Sequence, residues 1–113
     1  AKAFGAIEKY RIPWEGRIGH AELVIGETVL MLSDEAPELG VLSPKSIGGA
    51  GVAFVLEVAD LDGAWERALA AGATVNRPIS QAPYGRGGWL LDPYGFRWNV
   101  MTPAPDFDPA SMQ

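Results

Sequence analysis

One stretch of this chain echoes another. In residues 5–31, Gly5-Ala6 leads to Arg17, His20 and Gly26 ahead of the apolar run Val29-Leu30-Met31. In residues 72–100, Gly72-Ala73 leads to Arg86, Trp89 and Gly95 ahead of Trp98-Asn99-Val100. A half-size unit cannot bury its own apolar face, so a repeat of this kind constrains the fold to two units that face each other, and the groove between them is a natural ligand site. By the echo, Asn99 corresponds to Leu30. At 113 residues the chain can fill one core and not two independent ones, which makes residues 1–113 a single domain.

Charge and composition narrow the function. The chain has 14 acidic and 9 basic residues and a net charge of -5, with the basic ones scattered from Lys2 to Arg97. A nucleic-acid backbone would be repelled, and a cationic or neutral ligand is favoured over an anionic one. The absence of cysteine removes disulfides, thiol nucleophiles and Cys-based metal sites. Apolar stretches fall far short of the roughly 20 residues a bilayer span needs, and the start carries no signal segment. No membrane partner is expected, and a cytoplasmic location is the default.

Along the chain, Gly5 reads as the left-handed terminator of a helix whose body precedes it. Residues 8–12 form a short strand, 13–16 a turn, 17–25 an alternating strand, and Gly26-Glu27 the tight turn into a strand over 28–32. Residues 1–33 thus make a partial first module. Residues 34–51, Gly- and Pro-rich and without a sustained period, are the connector, with Gly48-Gly49-Ala50-Gly51 as a hinge. The second module, 52–101, opens on a strand over 52–58. A helix follows with Asp62 as N-cap, Leu61, Trp65, Ala68 and Leu69 on one face, and Gly72 as the stop. Trp65 reads as a core anchor. Thr74 to Ile79 is an edge strand because Pro78 interrupts it. Residues 81–88 read as a loop, and 89–91 and 97–101 as a hairpin through Asp92-Pro93-Tyr94-Gly95. The tail, 102–113, with Phe107 and Met112, has no regular element and would lie along a partner subunit.

The run Tyr84-Gly85-Arg86-Gly87-Gly88-Trp89-Leu90-Leu91-Asp92-Pro93-Tyr94-Gly95-Phe96-Arg97-Trp98 resembles the closing hairpin of the vicinal oxygen chelate superfamily, the glyoxalase and bleomycin-resistance group. Phe4-Gly5-Ala6 resembles the end of that family's first helix. Gly19-His20-Ala21-Glu22-Leu23 with Val29-Leu30-Met31-Leu32-Ser33-Asp34 resembles its first hairpin, and Val58-Ala59-Asp60-Leu61-Asp62 its second strand-to-helix junction. The resemblance implies an α+β fold of paired βαβββ modules forming a curled mixed sheet around a cup, commonly paired across a homodimer. It also implies that the first module here lacks its opening strand, to be supplied upstream or by a neighbour.

Many members of that superfamily hold a divalent metal between His and Glu side chains. The resemblance places Gly51 at the second-module His position, Asn99 at the Glu position and, through the repeat, Leu30 at the first-module Glu position. Glycine brings no side chain, leucine no donor, and an amide is a poor substitute for a carboxylate. A family-type metal site reads as dismantled, and no cofactor is expected.

His20 and Glu22 share a strand face by alternation, making them weak catalytic or ligating candidates; the bland alternative is a polar pair at a pocket edge. A triad is excluded by the single His and the lack of a nucleophile elbow. Alternation puts Gly51, Ala53, Val55 and Glu57 with Arg97, Asn99 and Met101 on a cup face, and Val52, Phe54, Leu56, Trp98 and Val100 on the helix face. Trp89 and Leu91 would line the cup, with Trp14, Tyr84 and Arg86 at its mouth. The ligand-binding set is therefore Trp14, His20, Glu22, Glu57, Tyr84, Arg86, Trp89, Arg97 and Asn99. Two readings follow. The first is a metal-independent protein that binds or sequesters a small organic compound, antibiotic-like, cationic or aromatic, in a cleft at a dimer interface. The second is a glyoxalase-like metal-dependent lyase, isomerase or dioxygenase using His20, Glu22 and a ligand from the missing strand.

Overall fold

The structure, a computed structural model, describes residues 4–105, so the predicted placement of Phe107 and Met112 lies outside the described residues. It is an α+β arrangement of two sheets 49 Å long and under 30 Å across. The first sheet is an antiparallel meander of β1 (Ile7–Trp14), β2 (Arg17–Ile25) and β3 (Thr28–Leu32) in that order. The predicted turn over residues 13–16 shrinks to Glu15 and Gly16, which take positive φ (46° and 77°), the conformation that a two-residue hairpin with native twist requires. Among the described residues β3 has no strand on its outer side.

The connector is shorter on loop than its composition implies. It holds a 3-10 turn at Pro37–Leu39 and a one-turn helix, α1 (Pro44–Ile47), whose Ser43 accepts a hydrogen bond from the Ser46 N–H at 3.3 Å.

The second module is a complete βαβββ unit: β4 (Ala53–Glu57), α2 (Leu61–Ala70), β5 (Thr74–Ala82), β6 (Gly85–Leu91) and β7 (Arg97–Pro103). Its strands lie in the order β4-β7-β6-β5, with β4 parallel to β7 and the other pairs antiparallel, so Pro78 sits on an edge strand as its missing N–H demands. Asp60, not Asp62, caps α2: its carboxylate accepts from the Gly63 N–H at 3.1 Å, while Asp62 is drawn to Arg86. β6 begins at Gly85, so most of the predicted loop over 81–88 is strand. Its glycines are required by contact, since a Cβ on Gly88 would come within 2.6 Å of the Trp65 indole and 2.9 Å of the Arg77 carbonyl oxygen.

The core lies between α2 and the second sheet: Leu61, Ala64, Trp65 and Ala68 against Leu90 and Val100. Phe4 and Phe54 pack against Trp98, whose Nε1–H donates to Asp92 at 2.9 Å, and Phe96 packs against Phe54. Val52, assigned to this side by alternation, precedes β4 and is exposed.

Candidate functional site

The register of the second sheet sets out its uncovered face as a grid. Across β4, β7 and β6 the rows are Ala53, Arg97 and Leu91; Val55, Asn99 and Trp89; and Glu57, Met101 and Gly87. These side chains alternate with Trp98, Val100 and Leu90, which face α2, so four predicted residues, Glu57, Trp89, Arg97 and Asn99, do share one surface. The Arg97 guanidinium lies 4.3 Å from the Trp89 ring centroid, and its Nε–H donates to the Asn76 side chain at 3.2 Å. The guanidinium thus lies over the indole, held from one side by Asn76. Beside it, the Asn99 side-chain oxygen is buried and accepts no hydrogen bond from the protein. A buried acceptor without a donor costs about 1–3 kcal/mol, which an incoming N–H or O–H would recover.

On the first sheet β2 carries His20 and Glu22 on one face, as alternation predicts, with His20 Nε2 3.8 Å from a Glu22 carboxylate oxygen. Sequence reasoning missed their third companion, Tyr10. It lies directly across from Glu22, and its ring centroid is 5.9 Å from that of His20. Desolvation, then the charge and hydrogen bond of Glu22, hold the Tyr10 phenol above its ordinary pKa.

Three predicted residues sit elsewhere. Arg86 points to the helix side of its sheet with Gly88 and Leu90, and forks onto Asp62 at the start of α2 (2.9 and 3.2 Å). It borders a hollow of about 380 Å³ with Asp60, Gln81 and Thr102 rather than the mouth of a cup. Trp14 stands at the turn end of the first hairpin, its ring 4.7 Å under the Arg17 guanidinium, beside a hollow of about 100 Å³ shared with the connector. Tyr84 occupies the β5–β6 turn, where its carbonyl accepts from the Ala104 N–H.

The counterpart assigned to Asn99 also changes. Leu30 pairs with Leu23, on the opposite face from His20 and Glu22, whereas Asn99 and Trp89 share one face. The cause is turn length: five residues (92–96) separate the paired Leu91 and Arg97, but two (26 and 27) separate Ile25 and Thr28. The difference, 5 − 2 = 3, is odd and reverses which side chains face outward.

Among the described residues the donor set does not fit a divalent cation. Gly51 and Asn99 offer no carboxylate or imidazole, and no three His, Cys, Asp or Glu side chains converge among the described residues. Nor is any helix among them long and apolar enough to cross a membrane. Among the described residues the two sheets share no strand pairing.

The profile of the glyoxalase/bleomycin resistance protein/dioxygenase superfamily matches residues 1–100. The chain belongs to this superfamily. Among relatives, the uncharacterized protein Mb0911c of Mycobacterium bovis is 36% identical over 117 aligned residues, covering 99% of this chain and 77% of that one. Among solved structures, protein PA1353 from Pseudomonas aeruginosa superposes with a TM-score of 0.67 at 26% identity, covering 89% of this chain and 81% of that one. TioX from Micromonospora sp. ML1 gives 0.65 at 25% identity, covering 91% and 83%. The α+β architecture of this superfamily is therefore that of the chain, including a second module complete in all its strands.

Proposed function

We propose that this superfamily member binds a small organic compound, planar and bearing hydrogen-bond donors, without a metal, in a cleft that a second copy of the chain completes. The observation that carries the reading is the unsatisfied Asn99 oxygen beside the Arg97–Trp89 stack. A flat ring would lie against the stack while its N–H or O–H reached Asn99. The donor-poor surroundings of Asn99 and Gly51 support binding without a cation, and the exposed apolar side chains on both sheets, Val55, Ile12 and Met31 among them, support coverage by a partner subunit. Antibiotic-like aromatic compounds fit this description.

The test is a thermal-shift screen of planar antibiotics and metabolites on the full chain. A binder is expected to raise the melting temperature of the wild type and to lose most of that effect in Trp89→Ala and Asn99→Leu. Hits that ignore both substitutions would overturn the reading. The second reading, a metal-dependent lyase, isomerase or dioxygenase, draws on the proximity of His20 and Glu22. A stoichiometric divalent ion in purified protein that is lost in His20→Ala would replace the first reading with it.

A further inference from the structure

The first hairpin contains two compensating irregularities, and both flank the same group of side chains. From the turn, Trp14 pairs with Arg17 and Pro13 with Ile18; continued unbroken, that register would set Arg11 opposite His20 and Lys9 opposite Glu22. Instead Gly19 is skipped on β2, so that Ile12 faces His20, Arg11 faces Ala21 and Tyr10 faces Glu22. Lys9 is then skipped on β1, and the original register resumes at Glu8 and Leu23. The slip therefore spans three pairs and exchanges two cations for an aliphatic and an aromatic residue around one carboxylate. Bulges of this kind re-aim side chains near functional sites.

The result is a carboxylate kept without a cation. The Glu22 side chain is only 12% exposed, and no Arg or Lys among the described residues forms an ion pair with it. From β1 Tyr10 lies opposite it, along β2 His20 stands 3.8 Å away, and from β3 Met31 lies opposite while Thr28–Leu32 offers no charged group. Ile12 and Met31, 52% and 67% exposed, form an apolar rim. A charged floor, two neighbouring rings and an alkyl rim are what an organic ammonium recognises: ion pairing from the carboxylate, cation–π attraction from the phenol, contact for the N-alkyl groups.

We propose that the Tyr10–Glu22–His20 face binds the organic ammonium group of a ligand. This rests on the small-molecule reading above and deepens it: the compound would carry a basic or quaternary amine as well as a flat ring.

His20 is the single histidine of the chain, which gives one unambiguous ring signal in the NMR spectrum. The full-length protein is titrated with tetramethylammonium chloride at constant ionic strength, with tert-butanol as an uncharged probe of similar shape. A saturable shift of the His20 ring protons by the ammonium alone is expected. It should weaken about tenfold or more in Glu22→Gln, the scale of a lost charge-assisted contact of roughly 1.4 kcal/mol. It should weaken likewise in Met31→Lys, which sets a cation opposite Glu22 at an exposed position. Equal response to tert-butanol, or unchanged affinity in Met31→Lys, overturns the proposal, and the latter decides even if Glu22→Gln fails to fold. A planar ligand that still binds through Trp89 in that outcome leaves the broader reading standing; its loss from the wild type as well would remove both.

Discussion

In the second sheet α2 lays Trp65 across Gly88 and seals Leu90 and Val100, whereas in the first sheet Ala21 is the only strand residue that is buried. The two are built on related hairpins, yet one has a packed side and the other has none among the described residues. Residues on the sealed sheet are fixed by what lies beneath them. Those on the bare sheet are free to be chosen for what they present outward. This explains why the second sheet holds a stacked, hydrogen-bonded platform and the first an arrangement of half-exposed polar and aromatic groups that no tertiary contact requires.

Truncation offers the sharpest way to break that contrast. Trp65→Ala should cost roughly 3–5 kcal/mol and, at about 4 °C or more per kcal/mol in a domain of this size, lower the melting temperature by more than about 10 °C. Leu23→Ala in the half-covered first sheet should cost about 1 kcal/mol. Melting curves at two protein concentrations check both. A large and concentration-dependent loss in Leu23→Ala would mean that a second chain seals the first sheet. A smaller effect comes from Asp60→Ala, which removes the cap of α2 and should cost about 1 kcal/mol by denaturant titration.

The smallest effects lie in acid. Asp62 is held below the usual carboxylate range first by its hydrogen bonds from Arg86, and Glu38 first by those from Arg17, which ties the connector to β2. A lowered folded pKa stabilises the native state above the unfolded carboxyl value and loses that contribution as pH falls through the lowered one, here below about pH 4. Asp62→Asn and Glu38→Gln should each melt slightly below the wild type at pH 7, and the gap should close towards pH 2. A gap that persists in acid would show that the side chains act through shape rather than charge. If only the Asp62 gap closes, the connector clamp is inert and the contrast between the modules widens.

The strand-rich repeat, the edge position of β5, the helical face of α2 and the face shared by Glu57, Trp89, Arg97 and Asn99 were legible in the sequence because each depends on periodicity or a single local residue. What escaped depends on distant partners. Nothing near Asp62 in sequence announces Arg86, 86 − 62 = 24 residues away, so the wrong aspartate reads as the cap and Arg86 reads as a residue at the mouth of the cup. Glycines 85, 87 and 88 look like a loop until the Thr102–Pro103 backbone, Met101 and Trp65 are seen to occupy the space their side chains would fill. Tyr10 was hidden by the slipped register around Gly19 and Lys9, and Leu30 was matched to Asn99 because an odd difference in turn length is invisible to a pattern of spaced glycines.

The parallel ladder between β4 and β7 has a consequence for how the molecule is made. Ala53 pairs with Arg97, 97 − 53 = 44 residues later, and the strand they complete is the last of the module to leave the ribosome. Until then β4 has no neighbour on the side that β7 will take, and α2 has no Val100 or Trp98 to close upon. Ladders between distant segments form slowly because the intervening loop must be closed first. The core of the module therefore cannot close until this seven-residue strand has been made.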